Sequence, residues 1–345
     1  MNLSIFDIKT EAHFKQQCLD TFRYQYKNIE VYRKFVDFLN ISPNTIDEVE
    51  KIPFLPIEMF KNHKILDQNF STEYYFQSSG TTYIQTRSKH FIADFDLYEK
   101  SIYTSFEQFI GKPEDFIFLG LLPNYSENPH SSLIYMVDFL MKKSGRPENG
   151  YFLYNHHQLF ELLQKLEGKK VILFGVSFAL LDFLDFCNSQ THKYSNSPSL
   201  TIIETGGMKG RKEEMTKDEL LKIFEKGFGT ERIFSEYSMT ELLSQAYSLG
   251  ENVYETPNWM RILVRNTEDP FSYVENGRTG AINIIDLANK HSCSFIATQD
   301  LGKILTDFEI PRFAWNDNDV FLNPKFQVLG RIDHSDIRGC SLLVS

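Results

Sequence analysis

The chain has 345 residues, is 42% hydrophobic, and carries 36 basic against 46 acidic side chains, a net charge of −10. That length and apolar content support a sizeable core, in two domains or one large α/β domain. The charge argues against nucleic acid on a broad basic surface but not against one nucleotide held by a nest of backbone N–H groups.

The opening MNLSIFDIKTEAHFKQQ has acids and no long apolar run, so no signal peptide is expected. No stretch approaches 18 uncharged apolar residues, so no membrane span is expected and a reducing, cytoplasmic setting is. Cys18, Cys187, Cys293 and Cys340 are too far apart for a CxxC zinc or redox pair. The 31 Phe and 17 Tyr suit an apolar acyl or aryl pocket, and they equally suit an AT-rich genome.

Helical spacing of Phe14, Cys18, Phe22 and Tyr26, then Phe35, Phe38 and Leu39, predicts one or two amphipathic helices over 11–39. KIPFLPIEMFKNHKI (51–65), with two prolines, reads as a loop feeding a short element. The segment 88–111 predicts a helix stopped by Gly111, and DFIFLGLLP (115–123) a short buried strand ended by proline. Helix and strand patterns then alternate through HSSLIYMVDFLMKKSG, GYFLYN, HHQLFELLQKLEG, KKVILFGVS, FALLDFLDFCNSQ, SLTIIETGG, KDELLKIFEKGFG and RIFSEYS. Such alternation from about 115 to 237 implies βαβ units and a mostly parallel sheet. From about 260, RILVRN, TGAINIIDL, CSFIATQDLG, VFLNPKFQVLG and CSLLV are strand-like pieces separated by turns. The expected division is an α/β region, 1–260, followed by a β-rich lobe, 261–345.

Five short segments carry groups suited to chemistry. In SSGTT (78–82), glycine permits close backbone approach while hydroxyls and N–H groups surround it, which suits phosphate; alone, it equally suits a plain turn. It has neither the GxxxxGK[ST] nor the GxGxxG pattern. Gly206-Gly207 follow a strand, where a ligand can cross the sheet edge or the chain can merely turn. In SEYSMTE (235–241), Thr240 is placed to contact phosphate and Glu241 to hold a divalent metal; the plain alternative is a helix cap with a first-turn acid. Asp300, read as following a strand, suits the two hydroxyls of a ribose, with Asp307 a weaker candidate. Arg331 suits ribose or phosphate. Cys340, after Arg338-Gly339, is either an activated nucleophile on a cationic tail or a small core residue.

In this order the segments resemble the adenylate-forming superfamily of acyl- and aryl-CoA ligases. The resemblance runs over roughly 50–344. It implies that Ser79, Gly80, Thr81 and Thr82 belong to a phosphate loop and that TGG (205–207), with Gly206 and Gly207, lies beside adenine. Tyr237, Thr240 and Glu241 match a Tyr-Gly-x-Thr-Glu motif, with Ser238 in place of glycine. Asp300 matches the ribose aspartate, GRID (330–333) with Arg331 the hinge motif, and His130 the position beside the substrate carboxylate. Two departures stand out. Tyr83-Ile84-Gln85 replace the lysine that usually follows the phosphate loop, and HSDIRGC after Asp333 lacks the hinge-side lysine. The implied fold is the superfamily's large α/β domain with a β-rich lobe, and its small C-terminal domain is expected to be absent.

Within the superfamily, SSGTT, SEYSMTE and especially RGCSLL resemble the acyl-protein synthetases of the bacterial luciferase fatty-acid reductase system. That branch implies ATP and Mg2+ as cofactors and a fatty or aryl acid activated as acyl-adenylate. The acyl group would pass to Cys340 as a thioester, then to an accepting protein such as a reductase or carrier protein. Two further readings fit the same residues: a small-molecule acyl- or aryl-CoA ligase with a dispensable Cys340, and an inactive relative that acts as an interaction protein.

Overall fold

The computed structural model describes residues 4–79, 86–124, 126–190, 199–206, 215–305 and 323–332. Two helices open the chain, α1 (Glu11–Asn28) and α2 (Glu30–Phe38). Thr10 caps α1 by accepting from the His13 N–H, and the helix buries Phe14, Cys18, Phe22 and Gln25. Gln25, rather than the expected Tyr26, faces the core, because its amide has partners there: Nε2 donates to the Asn289 carbonyl (2.9 Å) and the Ser294 hydroxyl (3.0 Å). On α2 the buried stripe is Tyr32 and Val36, four residues apart, and Phe38 is 84% exposed. A short strand, β1 (Leu55–Pro56), and a single helical turn, α3 (Met59–Asn62), complete this part.

The helix expected over 88–111 is two elements. A hairpin of β2 (Tyr75–Gln77) and β3 (Lys89–Phe91) comes first, and α4 (Phe95–Phe109) follows. Asp94 decides the boundary by accepting from the Leu97 N–H at 2.9 Å, which caps α4 and ends the strand before it. Next come β4 (Ile117–Leu121), α5 (Ser132–Ser144), β5 (Gly150–Tyr151), α6 (His156–Lys165), β6 (Val171–Val176), α7 (Ser177–Ser189), β7 (Leu200–Thr205), α8 (Lys217–Phe228) and β8 (Ile233–Tyr237). Two short strands, β9 (Ala246–Ser248) and β10 (Tyr254–Glu255), follow. Their sheet runs β5-β4-β6-β7-β8-β9-β10, parallel from β5 to β8 and antiparallel beyond. Every residue of β4, β6 and β7 is buried, as expected of parallel strands covered on both faces. The described residues of Thr72–Pro257 form one compact unit around this sheet.

A second unit joins the described residues of Met1–Ser71 to those of Asn258–Ser345. Its strands are β11 (Met260–Arg265), β12 (Gly280–Asp286), β13 (Phe295–Ile304) and β14 (Phe326–Arg331), antiparallel neighbours in that order, with β1 parallel to β13. The sequence division placed the first 71 residues with the α/β region; in the structure they pack with the β-rich strands. The bonds behind this include the Gln25 amide contacts and a bidentate pair of Arg261 on β11 with Glu11 on α1, one arm at 2.8 Å. The same guanidinium lies 4.0 Å from the centre of the Phe14 ring, and the Arg261 side chain is only 7% exposed. Removing the carboxylate takes from this buried cation its bidentate charge partner. Glu11→Ala is therefore expected to destabilise this unit by about 3 kcal/mol in urea unfolding, and Glu11→Gln by clearly less.

Candidate functional site

Ser78 and Ser79, the first two residues of SSGTT, directly follow β2 in its connection to β3. The Ser78 N–H donates to the Ser88 carbonyl (3.1 Å), and the Ser88 N–H donates back to the Ser78 hydroxyl (3.1 Å). These two bonds close the neck of the hairpin. Ser79 follows, exposed; Gly80, Thr81 and Thr82 lie outside the described residues. One hairpin face, with Phe76 opposite His90, is fully buried. It is held by aromatic packing: Phe76 lies 5.5 Å from both Tyr98 on α4 and Tyr135 on α5, and those two rings stack at 5.5 Å.

The other face carries Tyr75, Gln77 and Lys89. His130, just ahead of the α5 cap Ser131, is fixed against it. Its carbonyl accepts from the Gln77 N–H (2.8 Å), and its ring stacks on Tyr75 at 4.6 Å and 8°. His130 Nδ1 lies 2.8 Å from the Tyr75 carbonyl; a carbonyl only accepts, so Nδ1 carries the proton and Nε2 of the neutral ring is the acceptor. The Lys89 ammonium sits 4.6 Å from the centre of the same Tyr75 ring.

Thr240 and Glu241 lie in the tight connection between β8 and β9, not on a helix. The Leu242 N–H donates to the Met239 carbonyl (3.0 Å), and Ser244 is within 3.0 Å of Ser101 on α4. The decisive bond comes from the hairpin: His90 Nδ1 donates to the Thr240 carbonyl at 3.0 Å. This joins the neck of the SSGTT hairpin to the Thr-Glu turn. Glu241 is buried and Thr240 half-buried. Tyr237 ends β8, half-buried, its ring edge-on to Tyr254 at 5.9 Å.

At the end of β7 the chain turns at Gly206 with φ +72°, a left-handed conformation that favours glycine. Gly207 lies outside the described residues. Two buried carboxyl groups flank this turn. Glu204 accepts from the Ser177 hydroxyl and pairs with Lys217, the first residue of α8. Burial works against the Lys217 ammonium, but Glu204 and Tyr254 more than offset it and keep its pKa raised. Glu236 accepts from Thr205 and Ser238, and burial pushes its pKa up. None of His90, Glu204, Lys217 or Glu236 was marked from sequence. The available signal was an acid inside an otherwise apolar strand, at IIETGG and IFSEYS.

The second unit holds the other two candidates. Asp300 lies within β13 rather than after it, directly opposite Arg331 on β14. Arg331 Nε donates to Asp300 Oδ1 at 3.3 Å, the carboxylate nearly buried and the guanidinium exposed. Asp307, Asp333, Arg338 and Cys340 lie outside the described residues. Burial pushes up the thiols of Cys18, Cys187 and Cys293, the latter two to about 12, so none of these three is a thiolate at neutral pH. Among the described residues no three His, Cys, Asp or Glu side chains cluster as a metal cage, and no helix is long and apolar enough to cross a membrane.

Among solved structures, the open form of 2-hydroxyisobutyryl-CoA ligase in complex with 2-HIB-AMP and CoA superposes with a TM-score of 0.68. It is 11% identical, and the match covers 94% of this chain and 70% of that one. The chain has the fold of the adenylate-forming acid–thiol ligases. The fold also matches ATP-bound MatB from Rhodopseudomonas palustris, with a TM-score of 0.52 and 14% identity over 74% of this chain and 47% of that one. In sequence, the family described as "Acyl-protein synthetase, LuxE" matches residues 3–90. A "Long-chain-fatty-acid--luciferin-component ligase" of Photorhabdus luminescens is 34% identical over 74 residues, which is 21% of this chain and 63% of that relative.

His90 gives the site a pH signature. Burial depresses its pKa from an ordinary 6.5 to about 4. The unfolded chain thus takes up a proton near 6.5 that the folded chain refuses until about 4, so stability is intact above 6.5 and falls as pH drops between the two. Urea unfolding at several pH values is expected to show about 3 kcal/mol lost across this window, and that portion of the loss should be absent in His90→Asn.

Proposed function

We propose that the chain activates a carboxylic acid with ATP, forming an acyl-adenylate, and passes the acyl group to a thiol. The observation that carries this reading is the His90 bond within the adenylate-forming fold. It ties the strand that returns from SSGTT to the Thr240–Glu241 turn, whose Glu241 is buried.

A carboxylate is a poor electrophile. Its oxygen attacks the α-phosphorus of ATP, the bond to pyrophosphate breaks, and the acyl carbon becomes reactive. The negative charge on the transferring phosphoryl group is met by donors from Ser79, Gly80, Thr81, Thr82 and Thr240. Glu241 would hold Mg2+. A single carboxylate suits this ion, which commonly takes one or two protein carboxylates and completes its shell with substrate phosphates and water. Bound there, Mg2+ would neutralise phosphate charge. Gly206, Gly207 and Tyr237 keep the adenine role, and Asp300 with Arg331 the ribose role, only as the sequence resemblance implies them. His130, fixed by Tyr75, stands beside the acid's carboxylate. In the second step a thiolate attacks the acyl carbon, forming the C–S bond and releasing AMP.

We favour CoA as the thiol. Structures of a CoA ligase overlay 94% of the chain, and two of them are described in complex with CoA. The protein-acylating reading, with Cys340 as acceptor and a partner protein beyond it, draws on the sequence match over 3–90 and on the burial that raises the thiol pKa of Cys18, Cys187 and Cys293. One experiment separates them: incubation with ATP, Mg2+, CoA and a panel of fatty, aryl and short hydroxy acids. Pyrophosphate release, free acyl-CoA and intact protein mass are read together. The expected outcome is acyl-CoA that persists in Cys340→Ala and falls about 100-fold in Glu241→Gln. A hydroxylamine-labile adduct on Cys340, without free acyl-CoA, would move the assignment to the protein-acylating branch. No pyrophosphate with any acid would end the adenylation reading.

A further inference from the structure

The parallel ladder between β7 and β8 ends at the pair Thr205 and Glu236. From this pair one chain enters Gly206 and the other runs through Ser238 towards Thr240 and Glu241. A side-chain bridge spans the strands at this pair. The Thr205 hydroxyl donates to Glu236 Oε2, and the Ser238 hydroxyl donates to the same carboxyl group.

Linking two hydroxyl donors requires an acceptor with several lone pairs, which a carboxyl group has and an apolar side chain lacks. The position is costly. Glu236 is 3% exposed, its Oε1 has no hydrogen-bond partner, and the hydroxyl of Tyr247, directly across the ladder on β9, has none either. An apolar side chain would serve packing better at such a site. What Glu236 adds is geometry.

We propose that Glu236 is a positioning residue for the adenylation step, holding the Gly206 segment and the Thr240–Glu241 turn in fixed relation through Thr205 and Ser238. The inference rests on the adenylation reading above, since that reading places nucleotide on one segment and phosphate and Mg2+ on the other.

The test compares full-length Glu236→Gln, Glu236→Leu and Ser238→Ala. A glutamine oxygen still accepts from both hydroxyls, so Glu236→Gln should stay within about 3-fold of the parent in pyrophosphate release. Glu236→Leu should melt no lower than the parent yet lose about 100-fold in kcat, with KM for the acid little changed. Ser238→Ala should lose about 10-fold alone and nothing further in the Glu236→Leu background. A folded Glu236→Leu within 3-fold of the parent would overturn the proposal, and so would a Ser238→Ala loss that adds in full to it. If Glu236→Leu does not fold, Ser238→Ala at parental activity overturns it by itself. If the parent releases no pyrophosphate, the function reading has failed, and amide exchange at Thr240–Leu242 decides the bridge. Exchange about 10-fold faster in Ser238→Ala but not in Glu236→Gln would support the bridge, and unchanged exchange in both would refute it.

Discussion

Polar chemistry has few places to sit on a parallel sheet buried on both faces, and the ends of the strands are the main one. At the ends of β7 and β8 this protein places two carboxyl groups within the buried region. Consecutive residues on a strand point to opposite faces, so Glu204 and its neighbour Thr205 work on different sides of the sheet. On one side Glu204 is satisfied by Ser177 and Lys217, which ties α7 and the start of α8 to the strand end. On the other, Thr205 reaches Glu236 and through it Ser238. Neither carboxyl group would be tolerated there without donors, because a buried charge left unpaired is among the largest single penalties a fold can carry. Gly206, Tyr237 and the Thr240–Glu241 turn all lie within a few residues of these two side chains.

The organisation of the α/β region was legible because its strands are short apolar runs and its helices repeat at 3.6 residues. The runs IFLGL, VILFGV and LTIIET each became a wholly buried strand. Other features escaped for identifiable reasons. The strand Lys89–Phe91 was absorbed into the helical pattern that follows it, since the cap at Asp94 is a single residue in an otherwise continuous amphipathic stretch. The strands at Ala246–Ser248 and Tyr254–Glu255 are too short to show a period. The attachment of α1 to β11 rests on Arg261 meeting Glu11, 250 residues away, a contact that no local pattern encodes.

The candidate site divides the same way. Glycines, hydroxyls and the Thr-Glu pair are recognisable as a chemical inventory. The residues that hold them in place are not: His90 acts on Thr240 from 150 residues away. The aromatic content, read as suited to a pocket, is spent in good part on structure. Phe76, Tyr98 and Tyr135 form a cluster that fixes the hairpin to α4 and α5, and Tyr75 serves as a platform for His130 and Lys89.

The hairpin also sets a rule about parity. Residues of β3 alternate between a sealed face and an outer one, with His90 inward and Lys89 outward. Sliding β3 by one residue along β2 would exchange them, driving an ammonium into the Phe76–Tyr98–Tyr135 cluster and swinging the imidazole away from Thr240. A single-residue insertion or deletion between Ser88 and Asp94 is thus a change of sidedness as well as of length, whereas one that preserves the alternation leaves the inward side chain where the Thr-Glu turn needs it. Natural or designed variation in this stretch should therefore come in pairs of residues.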